Sequence, residues 1–391
     1  MQKPLVFGLF FIAVFLEAGT YGLTFMLPNL FENFGANEKD VGQILGITTV
    51  STLVSVYYIG HLTDRIGRMA SLSLSGVAIA VSLFLFGMAD SLGASIVIAS
   101  VVLGFGWGVF YALPPVVLTR ISDEKERVRV FSLHTVFMMA GFGLSPVLAS
   151  IMEKRGLPTS QAFFVVAVVC IISAVLFYIL RPAIQAMSEG RGAESRSSLT
   201  IESVSAVFRS RAIVPLIMVC LGASVFAGMN NFQTEFAEER GLDYANFFLF
   251  YTVTVVICRL LLTGFSGGRN PYAVIAALQY IMFASVVLFM FSGSNPSLFI
   301  LVAILFGVGY GASYPVLVAM AANDADNNYT AHTLQIFAFT YFIGIFGFPL
   351  IAGWIIVDIS IQFLLVLIAV LALVEASMAL KRAIENRSLD S

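Results

Sequence analysis

Apolar runs of about 20 residues, separated by short polar stretches, recur along the whole chain. Their coarse limits are 5–31, 41–60, 70–89, 93–118, 131–152, 161–181, 212–236, 244–264, 272–292, 297–321, 332–356 and 360–380. Within each run the apolar residues are continuous rather than alternating, which is the pattern of helices and not of barrel strands. In hydrocarbon only structures that close their backbone hydrogen bonds internally survive. The chain therefore reads as an all-α integral membrane protein with twelve transmembrane helices, spans 1 to 12.

The stretch 182–211, PAIQAMSEGRGAESRSSLTIESVSAVFRSR, interrupts this pattern. Its Ser, Glu, Arg and Gly content cannot bury a core, so it is expected to be a mobile or partly amphipathic cytoplasmic linker. It divides the chain into two six-helix bundles, 1–181 and 212–391. The halves repeat at a constant offset of 203 residues. Gly104-Phe-Gly106-Trp-Gly108-x-x-Tyr111 in span 4 returns as Gly307-Val-Gly309-Tyr-Gly311-x-x-Tyr314 in span 10. Gly141-x4-Pro146-x2-Ala149 in span 5 returns as Gly344-x4-Pro349-x2-Ala352 in span 11. Pseudo-symmetric halves with a site between them near the midplane are the architecture of secondary transporters. The glycines let helices approach closely in lipid, whereas a phosphate-cradling loop would need them between a strand and a helix. Gly141 with Pro146, and Gly344 with Pro349, are expected to bend spans 5 and 11.

Composition agrees, with 59% of residues hydrophobic and 11% charged, at a mean hydropathy of +0.93. Soluble domains are about half apolar and about one quarter charged, so the surroundings of this chain are mostly lipid. Net charge of −2 says little about partners, but its distribution sets orientation. With both ends inside, all of the 21 Lys and Arg fall in cytoplasmic loops or tails except Lys39, Lys154, Arg155, Arg240 and Arg259. The positive-inside rule then predicts a multi-pass protein of the bacterial inner membrane with both termini cytoplasmic. Cys170, Cys220 and Cys258 lie singly in apolar segments, without metal-ligand spacing, and read as packing residues. The first segment is expected to stay attached, because Glu17 interrupts it and apolar sequence continues to Phe31 without a small-residue cleavage site.

Between spans 2 and 3 stands Gly60-His61-Leu62-Thr63-Asp64-Arg65-Ile66-Gly67-Arg68-Met69. This turn closely resembles the signature joining the second and third helices of the major facilitator superfamily, and the resemblance extends over essentially the whole chain. It implies that Asp64 helps to lock one conformational state, with Arg65, Arg68 and Arg120 as its partners and the start of span 11 near His332 as a contact. Gly60 and Gly67 frame this switch. The second half keeps Gly264 and Arg269 at the equivalent turn but lacks the aspartate. Arg259, followed five residues later by Gly264, resembles an arginine of the family at the cytoplasmic end of span 8, where it can snorkel or pair across the halves. Ser132-x8-Gly141-x3-Ser145-Pro146-x2-Ala149-Ser150 is similar to the family's antiporter motif, with three glycines replaced by Ser or Ala. Ser100 stands where proton-coupled exporters of the family carry an arginine.

Glu17, about halfway through span 1, is the chosen candidate for proton coupling. An ionisable residue at membrane depth is costly and faces a cavity or a partner; the alternative is a structural, hydrogen-bonded glutamate. His134 in span 5 is a second candidate, with an interfacial structural role as its alternative. The resemblance implies that spans 1, 4, 7 and 10 line the cavity. Their polar and aromatic residues include Glu17, Tyr21, Trp107, Tyr111, Asn230, Asn231, Tyr310 and Tyr314, and Gln233, Tyr57, Tyr58, Tyr251, Gln335 and Tyr341 extend the set. An aromatic pocket with one carboxylate suits an amphipathic neutral or cationic organic solute better than a phosphate or dicarboxylate.

These features predict a monomeric secondary transporter in the lipid bilayer. It exchanges protons for a small organic solute, a drug or metabolite, by alternating access in the direction of efflux. The alternatives are uptake or facilitated transport of a sugar or other metabolite, and a non-transporting membrane sensor. No enzyme constellation can be assembled from three scattered histidines, and neither cofactor, metal nor nucleic acid is expected.

Overall fold

The structure is a computed structural model and describes residues 2–32, 34–122, 124–188, 200–261, 270–326 and 328–389. Among the described residues it contains twelve helices long and apolar enough to cross a membrane. They are Lys3–Thr24, Glu38–Ile66, Arg68–Gly87, Ala94–Ile121, Arg129–Glu153, Thr159–Ser188, Ile213–Asn231, Tyr244–Leu261, Pro271–Phe291, Pro296–Asn323, His332–Asp358 and Ile361–Asn386. No strand occurs among the described residues. With an even number of crossings, both chain ends lie on one side, called the terminal side; the opposite side is the far side.

The boundaries differ from the hydropathy limits where polar chemistry intervenes. Span 1 stops at Thr24 and resumes as Leu27–Glu32, and span 7 stops at Asn231 and resumes as Gln233–Glu239. The break in span 1, at Phe25 and Met26, is buried and apolar and so invisible to hydropathy, whereas the break in span 7 is flanked by the buried polar residues Asn230, Asn231, Gln233 and Thr234. The signature turn is mostly helical. Span 2 runs on to Ile66, and the reversal is made at Gly67, whose φ of 86° lies in the left-handed region that favours glycine. Of the linker, residues 182–188 continue span 6 and Ile201–Arg209 forms a short helix. Its centre, 189–199, lies outside the described residues, as do Gly264 and Arg269.

The repeated glycine run explains how each half is packed. In lipid no hydrophobic effect drives helices together, so they associate where small residues admit a neighbour's backbone. A Cβ at Gly104 would lie 2.4 Å from the Thr48 carbonyl of span 2, and one at Gly106 would lie 3.0 Å from the Ser75 carbonyl of span 3. In the other half Gly307 meets the Tyr251 carbonyl of span 8 at 3.0 Å, and Gly309 meets the Leu278 carbonyl of span 9 at 2.8 Å. The same motif therefore performs the same packing in both halves. The two proline motifs behave differently. Pro146 lies inside one continuous helix, Glu124–Glu153, whereas Pro349 follows a π-helical turn at Ile343–Gly347. That wider turn takes up the carbonyl that proline cannot serve.

The halves meet through span 2 against span 11 and span 5 against span 8. On the far side the first pair touches backbone to backbone. A Cβ at Gly42 would lie 2.6 Å from the Pro349 carbonyl, and one at Gly353 would lie 2.1 Å from the Glu38 carbonyl. Lys39 pairs with Asp358 at 3.0 Å and sits 3.9 Å above the Trp354 ring. Lys154 pairs with Asp243 and the Tyr244 hydroxyl donates to Glu153, which ties span 5 to span 8 at the same level. Toward the terminal side the face of span 2 that carries Gly42 and Gly46 opens. Tyr57 on that face is 58% exposed, and a Cβ at Gly60 would meet nothing within 4 Å.

An acidic contact also bridges the halves at the far side. Burial, reinforced by Glu38, Glu238 and Glu32, pushes Glu235 up to about 7 from the ordinary 4.5. Glu235 lies on the short helix after span 7, and Glu32 and Glu38 belong to the other half.

Two outcomes are expected. Gly42→Val should overpack the contact between spans 2 and 11, cost the far-side-closed state about 1–3 kcal/mol, and lower disulfide trapping between cysteines placed at positions 39 and 358. Unchanged trapping would remove the glycine contact as the closing element. For Glu235, the folded protein holds a proton that the unfolded chain releases near 4.5, so its contribution is complete below that pH and is lost as pH rises through about 7. Thermal stability of Glu235→Gln should lack this component, and identical pH profiles for mutant and wild type would refute it.

Candidate functional site

The repeat brings two of its own tyrosines together. Tyr111 and Tyr314, 203 residues apart, share a hydrogen bond between their hydroxyls at 2.6 Å. Each occupies the same position in its half, so the contact marks the pseudo-two-fold axis of the molecule. Around it, Tyr111 stacks on Tyr341 of span 11 at 5.3 Å and meets Phe342 edge-on at 4.9 Å. Tyr21 stacks on Trp107 at 5.1 Å and reaches across to Phe346 of the other half at 5.4 Å. Tyr310 stacks on Phe226 of span 7 at 4.5 Å, and Phe226 in turn lies 6.1 Å from Phe25 of the first half. Offset and edge-to-face ring pairs are each favourable by about 0.5–1.5 kcal/mol beyond burial. In this conformation the expected aromatic set packs ring on ring across the interface.

Arg259 is buried at the terminal side of this set. Its Nε donates to the Gly311 carbonyl at 3.2 Å and its Nη1 to the Thr135 carbonyl of the other half at 3.3 Å. The guanidinium lies 6.0 Å from the centre of the Tyr314 ring. A planar cation with several donors suits this bridging of two halves through backbone oxygens. His134, one residue before Thr135, is buried with its Nδ1 lacking a hydrogen-bond partner.

Asn230 and Asn231 end span 7, and their side-chain amides donate back to the Phe226 and Ala227 carbonyls at 2.8 and 3.0 Å. Asn231 also lies beside the Tyr21 hydroxyl. Asn230 Oδ1, both polar atoms of Gln233 and the Thr234 hydroxyl are buried without partners. Buried polar atoms are nearly always satisfied, so four such atoms at one helix break are exceptional.

Glu17 stands apart from this interface. It is completely buried within its own half, between spans 1, 3 and 6, with Ser75 Oγ 2.8 Å from Oε1 and Ser173 Oγ 3.0 Å from Oε2. The grouping of Glu17 with the interfacial aromatic residues is therefore corrected: its carboxyl turns away from the other half, because the small residues Gly76, Ser75 and Ser173 leave room behind span 1. Each serine has a second acceptor, the Leu72 carbonyl for Ser75 at 2.7 Å and the Ala13 carbonyl for Ser173 at 2.9 Å. A hydroxyl has one proton. Both serines can donate to a charged carboxylate; when it is protonated, the serine that faces its single O–H turns to its carbonyl and accepts. Ser100, in place of the exporters' arginine, donates to the Ile96 carbonyl of its own helix at 2.7 Å.

The proposed switch residues are gathered at the terminal side of the first half. Arg68, Arg120 and Arg181 line a cavity of about 240 Å³ beside Gly67, while Asp64 and Arg65 lie exposed at the end of span 2.

A sequence profile of the Major Facilitator Superfamily matches residues 9–349. The chain belongs to this superfamily. It is 26% identical over 213 residues to a "Probable 4-methylmuconolactone transporter" of Cupriavidus pinatubonensis, covering 52% of this chain and 48% of that protein. It is 24% identical over 156 residues to the "Multidrug resistance protein MdtL" of a Shewanella species, covering 40% of this chain and 39% of the relative. The chain thus aligns with about half the length, or less, of these relatives. The crystal structure of the nucleoside transporter NupG superposes with a TM-score of 0.77 over 96% of this chain and 99% of that one, at 14% identity, which establishes the fold.

In this superfamily member the sequence reading overlooked one buried carboxyl, Glu375 in span 12. The signal was available, since Glu375 lies well inside the apolar run 360–380, as Glu17 lies inside 5–31.

The tyrosine pair yields a prediction. Tyr111→Phe and Tyr314→Phe should each weaken the closed form by about 0.5–1.5 kcal/mol. The double mutant should cost little more than either single one, because both remove the same hydrogen bond. Strict additivity in denaturation of the purified protein would show that the two hydroxyls do not interact.

Proposed function

We propose that the protein is a secondary transporter that exports a small, amphipathic organic solute in exchange for protons. The observation that carries this reading is the pairing of the repeat-related Tyr111 and Tyr314 on the axis between two halves whose spans 2 and 11 pack tightly at the far side and loosen toward the terminal side. Exchange of the tight and loose sides about that axis is alternating access. The polytopic fold places the protein in a membrane; we assign it to the inner membrane, as a monomer with both termini in the cytoplasm, on the distribution of Lys and Arg. The locked far side is then periplasmic.

In the proposed cycle the solute enters from the terminal side and separates the rings of Tyr21, Trp107, Tyr111, Tyr310 and Tyr314. Aromatic faces hold its apolar or cationic part, and Asn230 and Gln233 accept its polar part. Arg259, Asp64, Arg65, Arg68 and Arg120 bias the terminal side, with Gly60 and Gly67 shaping the turn and Gly141, Pro146, Gly344 and Pro349 letting spans 5 and 11 flex. Glu17 carries the proton. Its two alternative hydrogen-bond arrangements with Ser75 and Ser173 change how spans 1, 3 and 6 are tied together. Tyr21 lies four residues along the same helix, about 6 Å away along its axis, and conveys the change to Trp107 and Phe346. His134 is the secondary proton candidate, through its place beside Thr135 and Arg259. The names of the relatives, one a muconolactone transporter and one a multidrug resistance protein, support an organic solute.

A second reading, uptake or facilitated passage of a polar metabolite, is favoured by the partnerless polar atoms of Asn230, Gln233 and Thr234. A thermal-shift screen of the purified protein separates the two, since a ligand that binds the native state stabilises it by mass action. Stabilisation by lipophilic cations that weakens in acid, with the pH dependence lost in Glu17→Gln, is the expected result. Stabilisation by sugars or nucleosides at all pH values, unaltered in Glu17→Gln, would overturn proton-coupled export.

A further inference from the structure

Each half of the molecule buries one carboxyl at the same kind of three-helix junction. Glu17 lies where spans 1, 3 and 6 meet, and Glu375 lies where spans 7, 9 and 12 meet, the repeat-related trio. The chemistry is exchanged between helices. In the first half the carboxyl is on span 1 and a thiol, Cys170, faces it from span 6. In the second half the carboxyl is on span 12 and a thiol, Cys220, faces it from span 7. Cys220 is the residue 203 positions after Glu17, so the thiol of one half occupies the place of the other half's acid. A glycine makes room in both: a Cβ at Gly76 would lie 3.0 Å from Glu17 Oε2, and one at Gly222 would lie 2.8 Å from Glu375 Oε1.

The second junction is less completely satisfied than the first. Gln279 Nε2 of span 9 donates to Glu375 Oε1 at 2.6 Å, but Glu375 Oε2 and Gln279 Oε1 are buried without partners. A cavity of about 10 Å³ lies among Glu375, Gln279, Tyr310 and Tyr314, close to the smallest space that holds the centre of one water molecule. The titratable groups facing Glu375 are the Cys220 thiol from span 7 and the phenols of Tyr310 and Tyr314 from span 10. Span 9 presents the neutral Gln279 amide.

We infer that Glu375 and Gln279, with the water-sized cavity beside Tyr310 and Tyr314, form a second proton-binding site in the C-terminal half. Loading transfers a proton from hydronium in the cavity to Oε2 and leaves a neutral carboxylic acid and one water; release reverses the step. Gln279 holds Oε1 throughout, so the proton is confined to Oε2, the oxygen without a partner. Tyr314 belongs both to this cavity and to the pair with Tyr111, which connects the site to the axis between the halves. The role of the site in transport rests on the proton-coupled reading above, whereas its existence as a titrating site does not.

The test is infrared difference spectroscopy of the full-length protein in lipid, between mildly acidic and mildly alkaline buffer, recorded for wild type, Glu17→Gln, Glu375→Gln and the double mutant. The expected result is a protonated-carboxyl band with two titrating components, one lost in each single variant. Gln279→Leu, which keeps the carboxyl, should move the midpoint of the Glu375 component and leave that of Glu17 in place. This variant covers the case in which Glu375→Gln fails to fold. A wild-type band that keeps its full amplitude change in Glu375→Gln, or a midpoint indifferent to Gln279→Leu, would overturn the site. Proton-coupled export fails on a different observation, transport that is insensitive to pH while both bands titrate.

Discussion

Helices surrounded by lipid gain nothing by hiding apolar surface from one another, so everything in this protein depends on where backbone can touch backbone. The touching points are few and carry consequences at two scales. Within each half, the glycine run of span 4 or span 10 draws two neighbours close, on opposite faces of one helix. Between halves, Gly42 and Gly353 let spans 2 and 11 meet most closely at the far side. A contact that is tight at one end and loosens toward the other acts as a hinge. The bulky Tyr57, on the same face about four turns along the helix from Gly42, marks where the contact gives way.

That hinge geometry fixes what the interior can do. The aromatic residues on the axis are held in ring-on-ring contact while the far side is locked, and the polar atoms at the break of span 7 are left without partners. Weak ring contacts can be separated and reformed without breaking strong bonds, which suits the alternating access proposed for this interface. The stronger polar contacts lie at the edges. Arg259 bridges backbone carbonyls at the terminal side, and the ion pairs of Lys39 and Lys154 bridge the halves at the far side.

The buried carboxyls follow the same logic of space. A charged group cannot be abandoned in an apolar interior, so Glu17 and Glu375 each sit against a glycine and are held by side-chain hydrogen-bond donors. Both lie behind the helices that face the interface rather than on it. In the proposed scheme the nearest routes from these carboxyls to the interfacial rings are Tyr21, on the same helix as Glu17, and Tyr310 and Tyr314, which line the cavity beside Glu375.

The sequence by itself determined the twelve spans, the two-fold repeat and the superfamily, because hydropathy runs and glycine spacing are local properties that lipid enforces residue by residue. It also named the axis tyrosines, since Tyr111 and Tyr314 stand at equivalent places in the repeat. It grouped Glu17 with the interfacial aromatic residues, carried no reading of Glu375, and did not mark the helix breaks at Phe25, among apolar residues, and at Phe232, among the polar side chains of Asn230, Asn231 and Gln233. Only the tertiary structure decided these, because the direction a buried side chain takes depends on which neighbour has a glycine or serine at the same depth. That neighbour is tens to hundreds of residues away: Ser75 and Ser173 for Glu17, Gly222 and Gln279 for Glu375. No periodicity along one helix records which small residue of another will lie against it.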